Sequence, residues 1–245
     1  MKRCFKVTLE YDGTDFCGFQ YQVGQRSVQD DVEKAILQLT GQAVRINGAG
    51  RTDTGVHALG QVIGFQVDTR IPTERMVVAL NSALPRDVAA TAAVEVDELF
   101  HARFSAKSRS YAYLILNRPA RSAVYDRFSC HWPHKLDVSA MRDGAQSLVG
   151  RQDFVAWANE TEEVRTTVRT VMRCGLRRAG SFILFRIEAD AFLRSMVRNI
   201  VGTLLEVGGG KRPASDVARI TESRDRTQAG PTAPARGLCL VRVQY

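Results

Sequence analysis

Hydrophobic and polar residues alternate at the start of the chain. Phe5, Val7, Leu9 and Tyr11 share one side of residues 3–11, the two-residue period of a strand buried on one face. Ser27 then reads as an N-cap, with Asp30 three residues on in the capping-box position. Val28, Val32, Ile36 and Leu39 recur at helical spacing, and Gly41 suits the helix exit. Short strands are predicted near 43–48 and at 59–67, where Ile63, Phe65 and Val67 alternate, with a glycine-rich loop between them. A second helix is predicted from Thr73, burying Met76, Val77 and Leu80, and a further strand over 88–96.

The second half repeats this style. Residues 108–116 read as a strand with Tyr111, Tyr113 and Ile115 on one face. A helix over 137–148 ending at Gly150, strands at 166–178 and 181–189, and a long helix over 191–206 follow. Residues 208–236, with Gly208–Gly210 and three prolines, read as loop with a short helix near 215–222, and Leu238 to Tyr245 close the chain as a strand. The alternation predicts an α+β protein of two units of related plan, residues 1–106 and 107–245. No linker-like composition marks the boundary near 104–107, so the halves are expected to share a continuous sheet.

Composition narrows the class. The chain has 245 residues, 44% hydrophobic and 24% charged, which excludes a disordered protein and allows one large or two small cores. No apolar run reaches the length of a membrane span. Lys6, Glu10 and Asp12 interrupt the basic N-terminus, so no signal peptide is read and cytoplasmic residence is expected. The five cysteines are widely spaced and form no C-x-x-C, which argues against a disulfide framework or a zinc site. Cys130, His131 and His134 lie close together, but Pro133 intervenes and no further ligand is near in sequence. An ordinary loop is the expectation, with no metal.

The net charge of +8 is unevenly spread. Residues 1–106 hold 11 basic and 13 acidic side chains, a balance of −2; residues 107–245 hold 23 and 13, a balance of +10. Arginine, whose fork matches phosphate geometry, dominates the second half. Charge alone favours a solvated basic face; a motif is needed to favour a phosphate-tracking one.

That motif is G-A-G-R-T-D-T-G-V-H-A-L-G-Q-V, residues 48–62. Gly48, Gly50 and Gly55 bracket Arg51, Thr52 and Asp53, and glycine permits the tight backbone that a ligand can approach closely. Asp53 stands where a dinucleotide fingerprint would need glycine, and no G-K-[ST] of a phosphate-binding loop follows. On its own the segment reads equally well as a tight turn or as a charged working site between strands.

This loop closely resembles the active-site motif of the tRNA pseudouridine synthase A family. The resemblance extends in order to Y-D-G-T-D-F-C-G-F-Q (11–20), S-V-Q-D-D-V-E-K-A-I (27–36), F-H-A-R-F-S-A-K-S-R-S-Y-A-Y-L-I (100–115), A-F-L-R-S-M-V-R-N-I-V-G-T-L-L-E-V-G (191–208) and G-P-T-A-P-A-R-G-L-C-L-V-R-V-Q-Y (230–245). Phe19, Thr54 and the pair Arg194–Ser195 depart from the family's usual residues, and the last pair bears on RNA contact. The resemblance implies the pseudouridine synthase fold: two related α/β sandwich-like halves, a mixed and mainly antiparallel sheet, and a central basic cleft. It implies a cofactor-free isomerase that turns uridine into pseudouridine at positions 38, 39 and 40 of the tRNA anticodon arm, working as a homodimer on a flipped-out base. It makes Asp53 the catalytic carboxylate, acting by covalent attack or by assisting loss of a C1′ proton. It places Arg51 at the vacated stack or the flipped nucleotide, and Tyr111 against the uracil with a part in proton transfer. Arg198 becomes the ion-pair partner of Asp53, and Leu238 a wall of the base pocket. From the residues alone, Tyr111 and Leu238 read as core, and Arg198 as a helix-edge arginine sharing a face with Arg194 beside the apolar stripe of Leu193, Met196, Val197, Ile200, Val201 and Leu204. His57 reads as a support of the loop. The rival reading is a non-catalytic RNA-binding module of the same fold.

Overall fold

The computed structural model describes residues 2–159 and 165–245. The class is α+β: a mixed, mostly antiparallel sheet with five α-helices among the described residues. The chain divides into two compact units, residues 1–107 with 240–245, and residues 108–239.

In the first unit the strand order is β4 (Val88–Val96), β1 (Lys2–Tyr11), β3 (His57–Asp68) and β10 (Leu238–Gln244), the last contributing its residues from Leu240 onward. β1 is antiparallel to both neighbours, with Phe5 opposite Phe65 and Val7 opposite Ile63. The alternation of β1 is realised: Phe5, Val7, Leu9 and Tyr11 are all buried. The C-terminal residues group with the first unit because they pack there. A Cβ on Gly60 would collide with the Val241 carbonyl, Lys107 N–H donates to Gln244 O at 2.7 Å, and the Tyr245 hydroxyl donates to Ala102 O at 2.8 Å.

Helix α1 (Val28–Thr40) begins where Ser27 accepts the Asp30 amide and ends at Gly41 with φ +71°, a left-handed cap that costs glycine little. α2 (Thr73–Ala83) buries Met76 and Leu80, whereas Val77, expected in the core, is only half-buried. The strand expected over 43–48 shrinks to β2 (Asn47–Gly48). Ahead of it, a side chain replaces the ladder: Glu33 of α1 accepts the Ile46 amide at 3.1 Å and pairs with Arg45.

The second unit is built on β5 (Ser108–Asn117), β9 (Phe182–Ala189), β8 (Val168–Ala179) and β7 (Gly150–Asp153), antiparallel throughout. The short β6 (Cys130–Trp132) lies parallel to β5. Neither β6 nor β7 has enough residues to show a period in sequence. α3 (Val138–Gln146) is capped by Asp137, which accepts the Ser139 and Ala140 amides. It stops short of the predicted 148 because Gln152 reaches back to the Ser147 and Val149 carbonyls; Gly150, with φ +114°, opens the strand rather than closing the helix.

The largest correction concerns the long helix. α4 spans Met196–Gly208, not 191–206, because Ser195 sits at φ 60°, ψ 4° and breaks the run. Arg194 therefore lies outside the helix, exposed, and does not share a helical face with Arg198. Nor is the helix a half-buried one with a stripe: every residue from Asn199 to Gly208 is buried, the signature of a helix inside a core. α3 packs on it, and the short α5 (Asp216–Ser223) packs on α3. Trp157, fully buried, donates its indole N–H to Thr221 of α5 at 3.0 Å, so its polar atom is satisfied as its rings leave water.

Candidate active site

Arg51 and Asp53 belong to the first unit; Tyr111, Arg198 and Leu238 belong to the second. The Asp53 loop runs from β2 to β3 and is tied down residue by residue. Gln61, fully buried in β3, donates to the Gly50 carbonyl at 2.8 Å and approaches the Tyr11 hydroxyl at 3.4 Å. Tyr11 and Thr52 share a hydrogen bond of 2.8 Å between their hydroxyls. The Thr52 carbonyl accepts the Phe19 amide at 3.0 Å, and the Asp53 carbonyl accepts the Val56 amide at 3.1 Å. The backbone on both sides of the Asp53 side chain is thus fixed while that side chain stays half-buried and Arg51 exposed.

Two glycines of the preceding segment make room for this. Gly13 packs against the Val56 carbonyl, leaving no space for a Cβ, and Gly18, at φ +99°, would place one 2.7 Å from the Thr52 carbonyl. The segment 11–20 is therefore the bed on which the loop rests. His57 serves the same end: its Nδ1 accepts the Gly13 amide at 3.0 Å. The same nitrogen lies 3.2 Å from the Asp12 carboxylate.

In the second unit Tyr111 lies on β5 opposite Ile187, 8% exposed, with its ring and that of Phe192 nearly perpendicular at 5.0 Å. Tyr113 is fully buried; its hydroxyl donates to Pro234 O at 2.8 Å, and burial pushes its pKa well above the usual tyrosine range. It is a packing residue.

Arg198, half-buried on the first turns of α4, donates Nε to the Ala233 carbonyl at 2.8 Å, and its own carbonyl accepts the Ala233 amide at 3.1 Å. The guanidinium is thereby aimed by an irregular segment far along the chain. No sequence signal pointed to Ala233, Gln61 or Phe192, since each acts through a backbone carbonyl, a buried amide or a ring edge that only folding brings into place. Leu238 opens β10 and is buried.

Around the histidines, His131 Nε2 lies 2.8 Å from the Arg118 carbonyl, and the His134 carbonyl accepts from Asn117 at 2.6 Å. Among the described residues no group of three His, Cys, Asp or Glu side chains could hold a metal ion, and no helix is long and apolar enough to cross a membrane.

A family model described as tRNA pseudouridine synthase matches residues 8–105 and 145–245. The match takes in the Asp53 loop, Arg198 and Leu238, and leaves Tyr111 in the gap. The class is therefore that of the tRNA pseudouridine synthases. The tRNA pseudouridine synthase A of Acetivibrio thermocellus is 46% identical over 243 residues, covering 99% of this chain and 100% of its own. That of Moorella thermoacetica is 46% identical over 244 residues, covering 99% of each chain. The chain belongs to the tRNA pseudouridine synthase A family. Among solved structures, a Cbf5–Nop10–Gar1 complex overlaps with a TM-score of 0.34 at 13% identity, covering 96% of this chain and 57% of that one. So loose an overlap adds nothing to the assignment.

Proposed function

We propose that the protein isomerises uridine to pseudouridine in tRNA, at positions 38, 39 and 40 of the anticodon arm. The N1–C1′ bond breaks, the uracil turns, and a C5–C1′ bond forms. The proton that C5 loses is balanced by the one N1 gains, so the reaction is redox-neutral and needs no cofactor.

Asp53 is the carboxylate, acting on the sugar or base by attack or by helping remove the C1′ proton. Arg198 pairs with it and orients it through a bidentate fork. The base reaches the carboxylate only after flipping out, at a cost of a few kcal/mol. Arg51 fills the vacated stack or holds the nucleotide, Tyr111 packs on the uracil and relays a proton at C5, and Leu238 walls the pocket. A single carboxylate suits an isomerase better than a glycoside hydrolase, which ordinarily uses two. The arginine-rich second half supplies phosphate contacts along a basic cleft. The protein acts in the cytoplasm as a homodimer.

The observation that carries this reading is 46% identity along 99% of the chain, with the aspartate of G-R-T-D-T-G held in a clamped loop. The test is a mass-spectrometric map of pseudouridine in tRNA after incubation with the purified protein. Pseudouridine at positions 38–40, absent with Asp53→Asn, is the expected result. Modification by the Asp53→Asn variant near the wild-type level would instead favour a mere RNA-binding module. Affinity for tRNA should weaken steeply with added salt, since phosphate contacts release counterions; a flat titration would contradict that.

A further inference from the structure

The segment between α5 and β10 contains only two short 3-10 turns, yet it holds Arg198 by Ala233 and leads into Leu238. Something other than regular structure must fix it. Part of the answer is close packing: Gly202 of α4 leaves no room for a Cβ beside the Pro231 carbonyl, and Gly230 N–H donates to the buried Thr203 hydroxyl at 2.8 Å. The rest converges on one guanidinium. Arg226 donates through Nε to Asn159 Oδ1 at 3.1 Å and through one terminal nitrogen to the Gly230 carbonyl at 3.2 Å. Its other terminal nitrogen donates to Asn199 Oδ1 at 3.0 Å and Thr232 Oγ1 at 3.2 Å. Asn199 is fully buried one residue after Arg198 and is itself held by Thr232 and by the Trp157 carbonyl.

These partners are neutral oxygens; among the described residues no carboxylate forms an ion pair with Arg226. Burial accordingly lowers its pKa rather than raising it. A cation placed where it gains no counter-charge is there for its geometry: a planar fork can tie three pieces of chain at once, which a lysine cannot.

We infer that Arg226 is a positioning residue for catalysis, locking residues 226–233 onto the start of α4 so that the Ala233 carbonyl aims the Arg198 guanidinium. The inference rests on the proposed pairing of Arg198 with Asp53. If that pairing is set by Arg226, loss of the fork should lower turnover and leave RNA binding in place, since no phosphate contact is removed.

The test is single-turnover release of tritium from C5-labelled uridine in tRNA, with tRNA affinity measured in parallel, for Arg226→Gln, Arg226→Lys, Arg198→Gln and the double variant Arg226→Gln/Arg198→Gln. Thermal unfolding of each restricts the assay to temperatures where the protein is folded. Arg226→Gln is expected to slow the chemical step about tenfold to a hundredfold, the usual consequence of misplacing a catalytic group by about 1 Å, with tRNA affinity within about threefold of wild type. Arg226→Lys should fail to restore the rate, because the fork and not the charge is required. Arg226→Gln should add little on top of Arg198→Gln, as for residues acting in one chain of contacts. Full rescue by lysine, multiplicative losses in the double variant, or a loss of tRNA affinity as large as the loss of rate would overturn the inference. A fully active Arg198→Gln would instead overturn the pairing on which it rests.

Discussion

Two irregular segments position the candidate catalytic groups, one carrying Asp53 and the other aiming Arg198, and they are held by different chemistry. The Asp53 loop is gripped by a buried network of neutral side chains, Tyr11, Thr52 and Gln61, over a bed of glycines at Gly13 and Gly18. The 226–233 segment is gripped by a charged fork, Arg226, reaching outward to neutral oxygens. A buried neutral network is fully satisfied only when every member is in place, so it fixes the backbone of a short loop tightly. A guanidinium tolerates longer spans and ties together pieces of chain from different elements. The first device suits a side chain whose loop must not move; the second suits an arginine whose direction is set from a distance.

The largest expected effect comes at the first segment. Asp53→Asn should cut turnover by about a thousandfold or more while tRNA affinity stays within about threefold, read by tritium release and a binding titration. Equal losses in both would break the separation of chemistry from binding.

Glycine substitutions sharpen the contrast next. Gly18 and Gly210 both have positive φ, but a Cβ on Gly18 meets the Thr52 carbonyl and one on Gly210 meets open space. Gly18→Ala should displace the Asp53 loop and lower kcat about tenfold or more. Gly210→Ala should cost only about 1 kcal/mol of stability, with kcat unchanged. If the two behaved alike, backbone strain and not the bed of the loop would govern.

A smaller effect is expected at the neutral network. Tyr11→Phe removes one hydroxyl and leaves Thr52 unsatisfied in a buried setting, which should destabilise the protein by about 1–3 kcal/mol in denaturant titrations. A change within error would show that water replaces the lost partner.

The smallest lies at the start of the second segment. The Thr227 hydroxyl and then its amide hold the Asp225 carboxyl below the usual range. Because the folded pKa is depressed, this contribution is present at neutral pH and fades as pH falls through the folded value. Asp225→Asn should therefore slightly flatten the acid side of the stability profile. A steeper acid side would reverse the sign and refute this account.

How much of this was legible follows from range. Ser27, Asp30 and Gly41 bound α1 within fifteen residues, and β1, β3 and β5 announce themselves by alternation, because helix caps and strand periods are local physics. Asp53 and Arg51 stood out for the same reason: glycines around a charge pair lie next to each other in the chain. Ser195 defeated the periodic reading because the apolar spacing from 193 onward continues through a left-handed residue that no side-chain rule flags. With it fell the shared face of Arg194 and Arg198.

The sequence by itself determined most of the elements and drew out the glycine-bracketed Asp53, since these depend on near neighbours, and it pointed to the family through motifs that follow one another along the chain. Only tertiary structure decided what grips these parts of the chain: a carbonyl at Ala233 for Arg198, an amide at Gln61 for the loop, a fork at Arg226 for residues 226–233. Backbone carbonyls are the same in every residue and carry no letter of their own. Which one meets a given guanidinium depends on how separate parts of the chain pack together, and that is settled by the core as a whole.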